Sequence, residues 1–276
     1  MTTFKLTEAS LAELAAAVEG NLFDLFRAMA RLPGAELREE ARLCRHLSSP
    51  FSPMFKGVWQ TRLGSDEVDS AIAETIAYFQ SRQAPFFFWW IGPETQPANL
   101  GERLEAHGLV AWELAAPGMV AELSGLDDSA LERTPPDFVI ERVTKAAQLD
   151  QFKLAFVAGL EMPEWAGQAW VEATLAFGLD QAPWMIFLGL QNDESVACSI
   201  LFNGGGVASV YGVATIPSAR RQGIGAAMTV IAFQNAQAMG YRYGVLFATD
   251  LGVSVYRRIG FQDCGVSISR YLWRNE

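Results

Sequence analysis

The stretch that decides the fold runs Thr215-Ile216-Pro217-Ser218-Ala219-Arg220-Arg221-Gln222-Gly223-Ile224-Gly225-Ala226-Ala227. A β-rich segment ends at a proline, two arginines and two glycines follow, and a helix begins at once with Ile224, Met228, Ile231 and Ala232 on one face. Gly223 and Gly225 permit close backbone approach. The first-turn amides of a helix have no intrahelical partners, and with the helix dipole they form an anion cradle. The segment is not the dinucleotide fingerprint, because GxGxxG is absent, nor a Walker loop, because no Gly-Lys-Ser/Thr follows. Spacing alone leaves open a tight strand–helix turn with surface arginines.

Outward from this turn the chain alternates between the two periodicities. Before it lie three strands at 183–190, 195–202 and 206–216, joined by Asn192-Asp193 and Asn203-Gly204-Gly205, which predict an antiparallel meander. A strand at 138–143 and helices at 144–158 and 165–177 precede them. After it come a long helix at 220–239 ended by Gly240, a strand at 243–248, a short helix at 252–259 ended by Gly260, and strands at 261–264 and 266–272. Residues 124–137, polar and with a Pro-Pro pair, read as a linker. The first half predicts helices at 11–32 and 35–47, a loop at 48–53, a strand at 54–63 and a helix at 65–80 with Ser65 as N-cap. The run 85–91 follows as a strand buried on both faces, then a helix at 99–107 and strands at 110–114 and 119–123. The expectation is an α/β chain, an α+β mixed sheet, in two domains: 1–130 and 138–276.

Composition narrows the function. Half of the 276 residues are hydrophobic and the formal charge is -10, which disfavours a general nucleic-acid binder. The charge is uneven: residues 1–137 hold 11 basic and 20 acidic side chains, residues 138–276 hold 10 and 11, so a polyanion meets less repulsion in the second half. Cys44, Cys198 and Cys264 are dispersed, and with His46 and His107 they make no zinc set; no metal is expected. No stretch approaches a membrane span and the N-terminus has no signal-peptide pattern, so the expected location is the cytoplasm.

The ordered motifs Arg220-x-x-Gly223-x-Gly225 and Tyr256-Arg257-Arg258-Ile259-Gly260-Phe261 resemble those of the GCN5-related N-acetyltransferase (GNAT) superfamily over residues 138–272. The resemblance implies an acyl-CoA transferase fold and acetyl-CoA as co-substrate. It implies that backbone amides of Arg221, Gln222, Gly223, Ile224, Gly225 and Ala226, with Arg220 opening the motif, hold the pyrophosphate. Main chain near Val213 and Thr215 would bond the pantetheine arm in a slot where the fourth and fifth strands diverge, with Ser254 as a further contact. Tyr256 would protonate the departing thiolate, a role that a phenol protonated at neutral pH can fill. Many relatives carry Asn seven positions before this tyrosine; here it is Thr249. The general base is open between Glu161, Glu164, Asp250 and a water.

Residues 1–130 repeat the fold's order without its chemistry, with 66–79 for the long helix and Leu104 where a tyrosine would stand. They are expected to form a degenerate GNAT-like domain of a tandem arrangement. Phe51, Met54, Phe55 and Trp59 read as interface core or as an acceptor wall. The leading function is an N-acetyltransferase acting on a small-molecule or amino-acid-like amine by direct attack. The alternatives are a non-catalytic acyl-CoA-binding or sensing module and an acyl or aminoacyl transferase with another donor. A homodimer through edge strands is compatible with this reading.

Overall fold

A computed structural model describes residues 7–48 and 53–275. Its elements are α1 (Leu11–Met29), β1 (Glu36–Glu39), β2 (Cys44–Leu47), β3 (Lys56–Trp59), α2 (Val68–Ser81), β4 (Phe86–Ile91), α3 (Leu100–Ala106), β5 (Val110–Glu122), β6 (Phe138–Arg142), α4 (Gln148–Leu160), α5 (Glu164–Phe177), β7 (Trp184–Gln191), β8 (Glu194–Gly204), β9 (Val207–Thr215), α6 (Ile224–Ala238), β10 (Tyr243–Phe247), α7 (Asp250–Arg258) and β11 (Gln262–Arg274).

The chain packs as two compact units that are not contiguous in sequence. The C-terminal unit joins Gly118–Gly265 to the described residues up to Leu25; the N-terminal unit joins Phe26–Pro117 to the residues from Val266 onward. The division thus falls elsewhere than at the 124–137 linker, and α1, β5 and β11 each run from one unit into the other.

In the C-terminal unit the strand order is β5-β10-β9-β8-β7-β6. The meander β7-β8-β9 is antiparallel, β9 and β10 are parallel, and β10 pairs antiparallel with the Gly118–Glu122 end of β5. β8 is buried from Val196 to Phe202 without alternation, because helices cover both faces of its sheet. α6 is apolar around most of its circumference, with Ile224, Ala227, Met228, Val230, Ala232, Phe233 and Ala236 all buried. Ser199 Oγ on β8 donates to the Met228 carbonyl at 3.2 Å, closing a polar group inside that contact. The start of α1 is fixed by reciprocal capping: Glu13 Oε2 accepts from the Ser10 amide at 2.8 Å and the Glu13 amide donates to Ser10 Oγ at 3.3 Å.

In the N-terminal unit the order is β1-β2-β3-β4-β11, with β3 and β4 parallel and every other pair antiparallel. β4, the Phe86–Ile91 run, is buried as its composition predicts. Phe87 and Trp89 point into a core with Phe79, Leu100, Leu104, Tyr271 and Trp273.

Several local expectations fail. Ser65 is not the N-cap of α2, which begins at Val68 after Glu67. The helix at 35–47 is instead β1 and β2. Its charged residues favour a helix locally, but Cys44 and His46 alternate with Arg45 and Leu47, and the ladder with β3 buries them. The strands at 110–114 and 119–123 are one strand, β5, which passes through Pro117-Gly118; 261–264 and 266–272 are likewise one strand, β11. Phe51 lies outside the described residues, whereas Phe55 and Trp59 are fully buried.

Candidate active site

β9 carries the irregularity that opens the site. Against β8, Ala214 faces Cys198 and Tyr211 faces Ile200, so Gly212 and Val213 together oppose Ser199. This is a β-bulge, which bends the strand away from regular pairing. Gly212 has φ 56°, and a Cβ there would come 2.5 Å from a ring carbon of Phe156, so no other residue fits. On its other edge β9 pairs with β10 only at Ala208/Gly244 and Ser209/Val245. From Val210 and Leu246 onward that ladder stops, and the two parallel strands part. Ile216 donates to the Val196 carbonyl of β8 at 2.9 Å. Alternation then turns the Thr215 amide, and two residues back that of Val213, away from β8 and toward the open edge.

The turn after β9 presents the amides of the predicted cradle. Arg221 has φ 64° and Gly223 φ 80°, both left-handed. A Cβ on Gly223 would lie 2.9 Å from the Arg133 carbonyl oxygen, so this glycine is required by the fold. Gly225 is different: a Cβ there would meet only Thr215 Oγ1, at an ordinary 3.7 Å. Packing therefore leaves room at Gly225, next to amides that have no partner. At this helix start Ala227 donates to the Gly223 carbonyl, at 3.1 Å; among the described residues none of the amides from Arg221 to Ala226 donates to a backbone carbonyl. Successive amides around left-handed residues form an anion-binding concavity.

The other predicted residues are spread around this edge. Arg220 turns its guanidinium to the Thr215 and Gly159 carbonyls and to Glu161. Tyr256 is half-buried on α7, its ring 6.1 Å from that of Phe261 in a T-shaped contact. Burial pushes its phenol up to about 12, so it stays protonated at neutral pH. Among the described residues no group hydrogen-bonds its hydroxyl. Gly252 makes room for the ring, since a Cβ there would come 2.7 Å from Tyr256 Cε2. Ser254 is exposed on α7, and Thr249 is the helix N-cap with no side-chain cap bond. α7 buries no residue completely, and Leu251 in its first turn is 84% exposed.

Of the three carboxylates considered as bases, Glu161 pairs with Arg220 at 2.9 Å and Glu164 faces Lys153 at 3.5 Å. Asp250 is exposed in the first turn of α7. Cys198 is fully buried, and burial pushes its thiol up, so it is no nucleophile at neutral pH. Among the described residues no group of His, Cys, Asp and Glu is placed to hold a metal ion, and no helix is long and apolar enough to cross a membrane. The residues that sequence reading missed are Gly212, Gly159 and Arg133. The signal for the first was a glycine inside a β-rich run, Tyr211-Gly212-Val213, which marks a bulge or a close approach.

No family model matches the sequence, and no curated protein matches it. Solved structures do. A GCN5-related N-acetyltransferase from Kribbella flavida superposes with a TM-score of 0.71 at 20% identity, over 95% of this chain and 96% of that one. Another from Sphaerobacter thermophilus gives 0.60 at 14% identity, over 96% and 94%. A tandem GNAT protein from the clavulanic acid biosynthesis pathway gives 0.57 at 10% identity, over 96% and 94%. The protein has the GCN5-related N-acetyltransferase fold, over a length that a tandem protein of that fold shares.

Proposed function

We propose that the protein is an acyl-CoA-dependent N-acyltransferase, with acetyl-CoA as donor and a small-molecule amine as acceptor. The observation that carries this reading is the succession of two hydrogen-bonding surfaces: the edge of β9 beyond Ser209, where the ladder to β10 has stopped, and the free amides from Arg221 to Ala226 that follow the strand. An extended arm with amides would add to the first as a strand does, and a diphosphate would fit the second. Gly225 is compatible with the fit, because a Cβ there would meet only Thr215 Oγ1, at 3.7 Å, and no packing contact closes the helix start at this residue. Arg221 to Ala226 would hold the pyrophosphate, Val213 and Thr215 the pantetheine arm, with Ser254 on the neighbouring helix. The donor supplies an activated thioester. Tyr256 Oη holds a proton at neutral pH and would give it to the sulfur as the thiolate leaves. Holding both reactants on one edge supplies much of the rate.

Calorimetric titration with CoA and acetyl-CoA, followed by thiol release in the presence of an amine panel, tests the reading. Binding with amine-dependent thiol release is the expected result. Binding without release makes the protein a CoA-binding module. Absence of binding removes the function and leaves the fold.

A further inference from the structure

Arg220 opens the anion-loop motif, yet its guanidinium is engaged with the protein. Nε donates to the Thr215 carbonyl at 3.1 Å; Nη2 donates to the Gly159 carbonyl at 3.1 Å and to Glu161 Oε1 at 2.9 Å. Thr215 is the last residue of β9, and Gly159 lies in the last turn of α4. The last carbonyls of a helix have no helical partner and carry the negative end of the dipole, so a guanidinium there meets both needs. The contact is close. A Cβ on Gly159 would lie 2.8 Å from Ala214 Cβ and 2.9 Å from the Thr215 nitrogen. Only glycine lets the end of α4 approach the strand at the residue whose amide faces the open edge. Glu161 adopts left-handed backbone, φ 54°, as it leaves α4, and from there its carboxylate reaches Arg220.

We propose that Arg220 is a positioning residue: it clamps the end of α4, and with it the turn from Glu161 to Glu164, to the last residue of β9, and it leaves the diphosphate's charge to Arg221. The assignment of the diphosphate rests on the acyl-CoA reading; the clamp does not. The ion pair with Glu161 is exposed and contributes little alone. The bonds to two main-chain carbonyls are charge-assisted and carry the clamp. Arg221 is exposed, has left-handed backbone, and makes no ion pair among the described residues, so its charge is free for a ligand. The turn that borders the slot and the strand edge that lines it therefore move together, and Glu161 is held as a strut and not as a base.

The test uses the full chain with Arg220→Met, Arg221→Met and Glu161→Gln, read by amide hydrogen exchange without ligand and by CoA titration at two salt concentrations. Arg220→Met is expected to speed exchange across 159–164 by about 10-fold, since each charge-assisted bond is of that order. It should weaken CoA binding by less than about 5-fold and leave its salt dependence unchanged, because a residue off the phosphates releases no counterion. Arg221→Met should weaken binding by about 10-fold and flatten the salt dependence. Glu161→Gln, at an exposed site, keeps the fold; combined with Arg220→Met it should add nothing in exchange. Unchanged exchange at 159–164 in Arg220→Met overturns the clamp. Loss of the salt dependence in Arg220→Met places its charge on the phosphates and overturns the division of roles. Failure of the wild-type protein to bind CoA strikes the proposed function, while the exchange result still decides the clamp.

Discussion

The two units build the same parallel pair and finish it differently. β9 and β10 touch at two residue pairs and part; β3 and β4 touch at two, Gly57/Phe88 and Val58/Trp89. Both pairs are followed by the same helix ending. Phe261 donates to the Tyr256 carbonyl at 2.9 Å around Gly260, and Leu109 donates to the Leu104 carbonyl at 3.0 Å around Gly108. The N-terminal unit, however, closes its own gap. Beyond β3, the Gln96 amide donates to the Thr61 carbonyl at 2.9 Å, the Leu63 amide donates to the Gln96 carbonyl at 3.1 Å, and Trp89 Nε1 donates to Thr61 Oγ1 at 2.9 Å. A segment of chain lies where the C-terminal unit leaves a strand edge open. β3 pairs with β2 without a bulge. The start of α2 is filled as well, because Glu67 Oε1 accepts from the Gly64 amide at 2.9 Å and puts a carboxylate where a phosphate would go. Leu104 is fully buried in place of the phenol. What separates the two is whether the backbone's hydrogen-bonding groups are met from within.

This difference predicts one CoA per chain and a steep asymmetry between glycines. Gly223→Ala combines a positive φ with a 2.9 Å contact on the Arg133 carbonyl, and should cost ~1–3 kcal/mol of stability. With the cradle displaced, CoA affinity should fall by about 100-fold, the scale of losing two or more charge-assisted bonds. Gly64→Ala, at the corresponding turn of the N-terminal unit, should leave that affinity unchanged. Calorimetric titration and denaturant unfolding read both. A Gly223→Ala protein that binds CoA as tightly as the wild type would move the anion site elsewhere.

A loss of similar size, confined to turnover, is expected at the phenol. Tyr256→Phe should lower kcat by about 100-fold, the lower range for a lost general acid, with CoA affinity unchanged. The sign of the pH dependence follows from the acid form being the active one. With the phenol held near 12, turnover should show no alkaline loss from this group across the neutral range, and only above it would deprotonation remove the donor. A loss of turnover on the alkaline side of neutrality that persists in Tyr256→Phe belongs to another group; one that disappears with the substitution would contradict the burial of this ring.

Much of this was legible in residue order. The two glycines after a strand, the long apolar helix and the Tyr256–Phe261 segment identified the C-terminal unit, because each is a short-range signal with its cause inside a few residues. The failures have long-range causes. Nothing within 35–47 announces that β3 will pair with Cys44–Leu47, and nothing near Gln96 announces a bond to Thr61. The roles of Gly159 and Arg220 are set by an approach between segments 55 to 61 residues apart. The exchange of β5 and β11 between units was hidden by Pro117-Gly118 and Gly265, which read as breaks and are crossed by continuous strands.

The units should also differ in acid. Both histidines of the sequence lie in the N-terminal unit. His46 is fully buried, stacked on Phe26 at 4.7 Å, with Nε2 3.4 Å from the Met54 carbonyl, and burial lowers its pKa to about 3. The folded state keeps His46 neutral while the unfolded chain takes up a proton below the ordinary value of 6.5. This stability is complete above 6.5 and is lost as pH falls from there toward 3. Between pH 6.5 and 5 the loss should approach ~2 kcal/mol, at about 1.4 kcal/mol per unit. Lys56, lowered by burial to about 8, titrates outside that window. Denaturant unfolding at the two pH values should show a smaller drop for His46→Phe, which keeps the stack and removes the titration; an equal drop would assign the acid lability to other groups.

The smallest effect is the sharpest test of the cradle. Gly223 and Gly225 sit two residues apart in one motif, and only the first is demanded by the surrounding chain. At Gly225 a methyl meets one oxygen at 3.7 Å, and the backbone has no positive φ. Gly225→Ala should therefore stabilise the start of α6 by ~0.5–1 kcal/mol, the ordinary gain of alanine over glycine in a helix. A methyl there adds bulk to the helix start that carries the free amides, so CoA affinity should fall slightly while stability rises. Gly225→Leu should keep the fold and lower affinity by a further order of magnitude, because its branched chain fills a volume the protein does not use. Stability and affinity moving in opposite directions at a single glycine is what a ligand site requires and a tight turn does not. If both variants bind CoA as the wild type does, the space over Gly225 is only solvent, and the difference between the two units is one of packing and not of function.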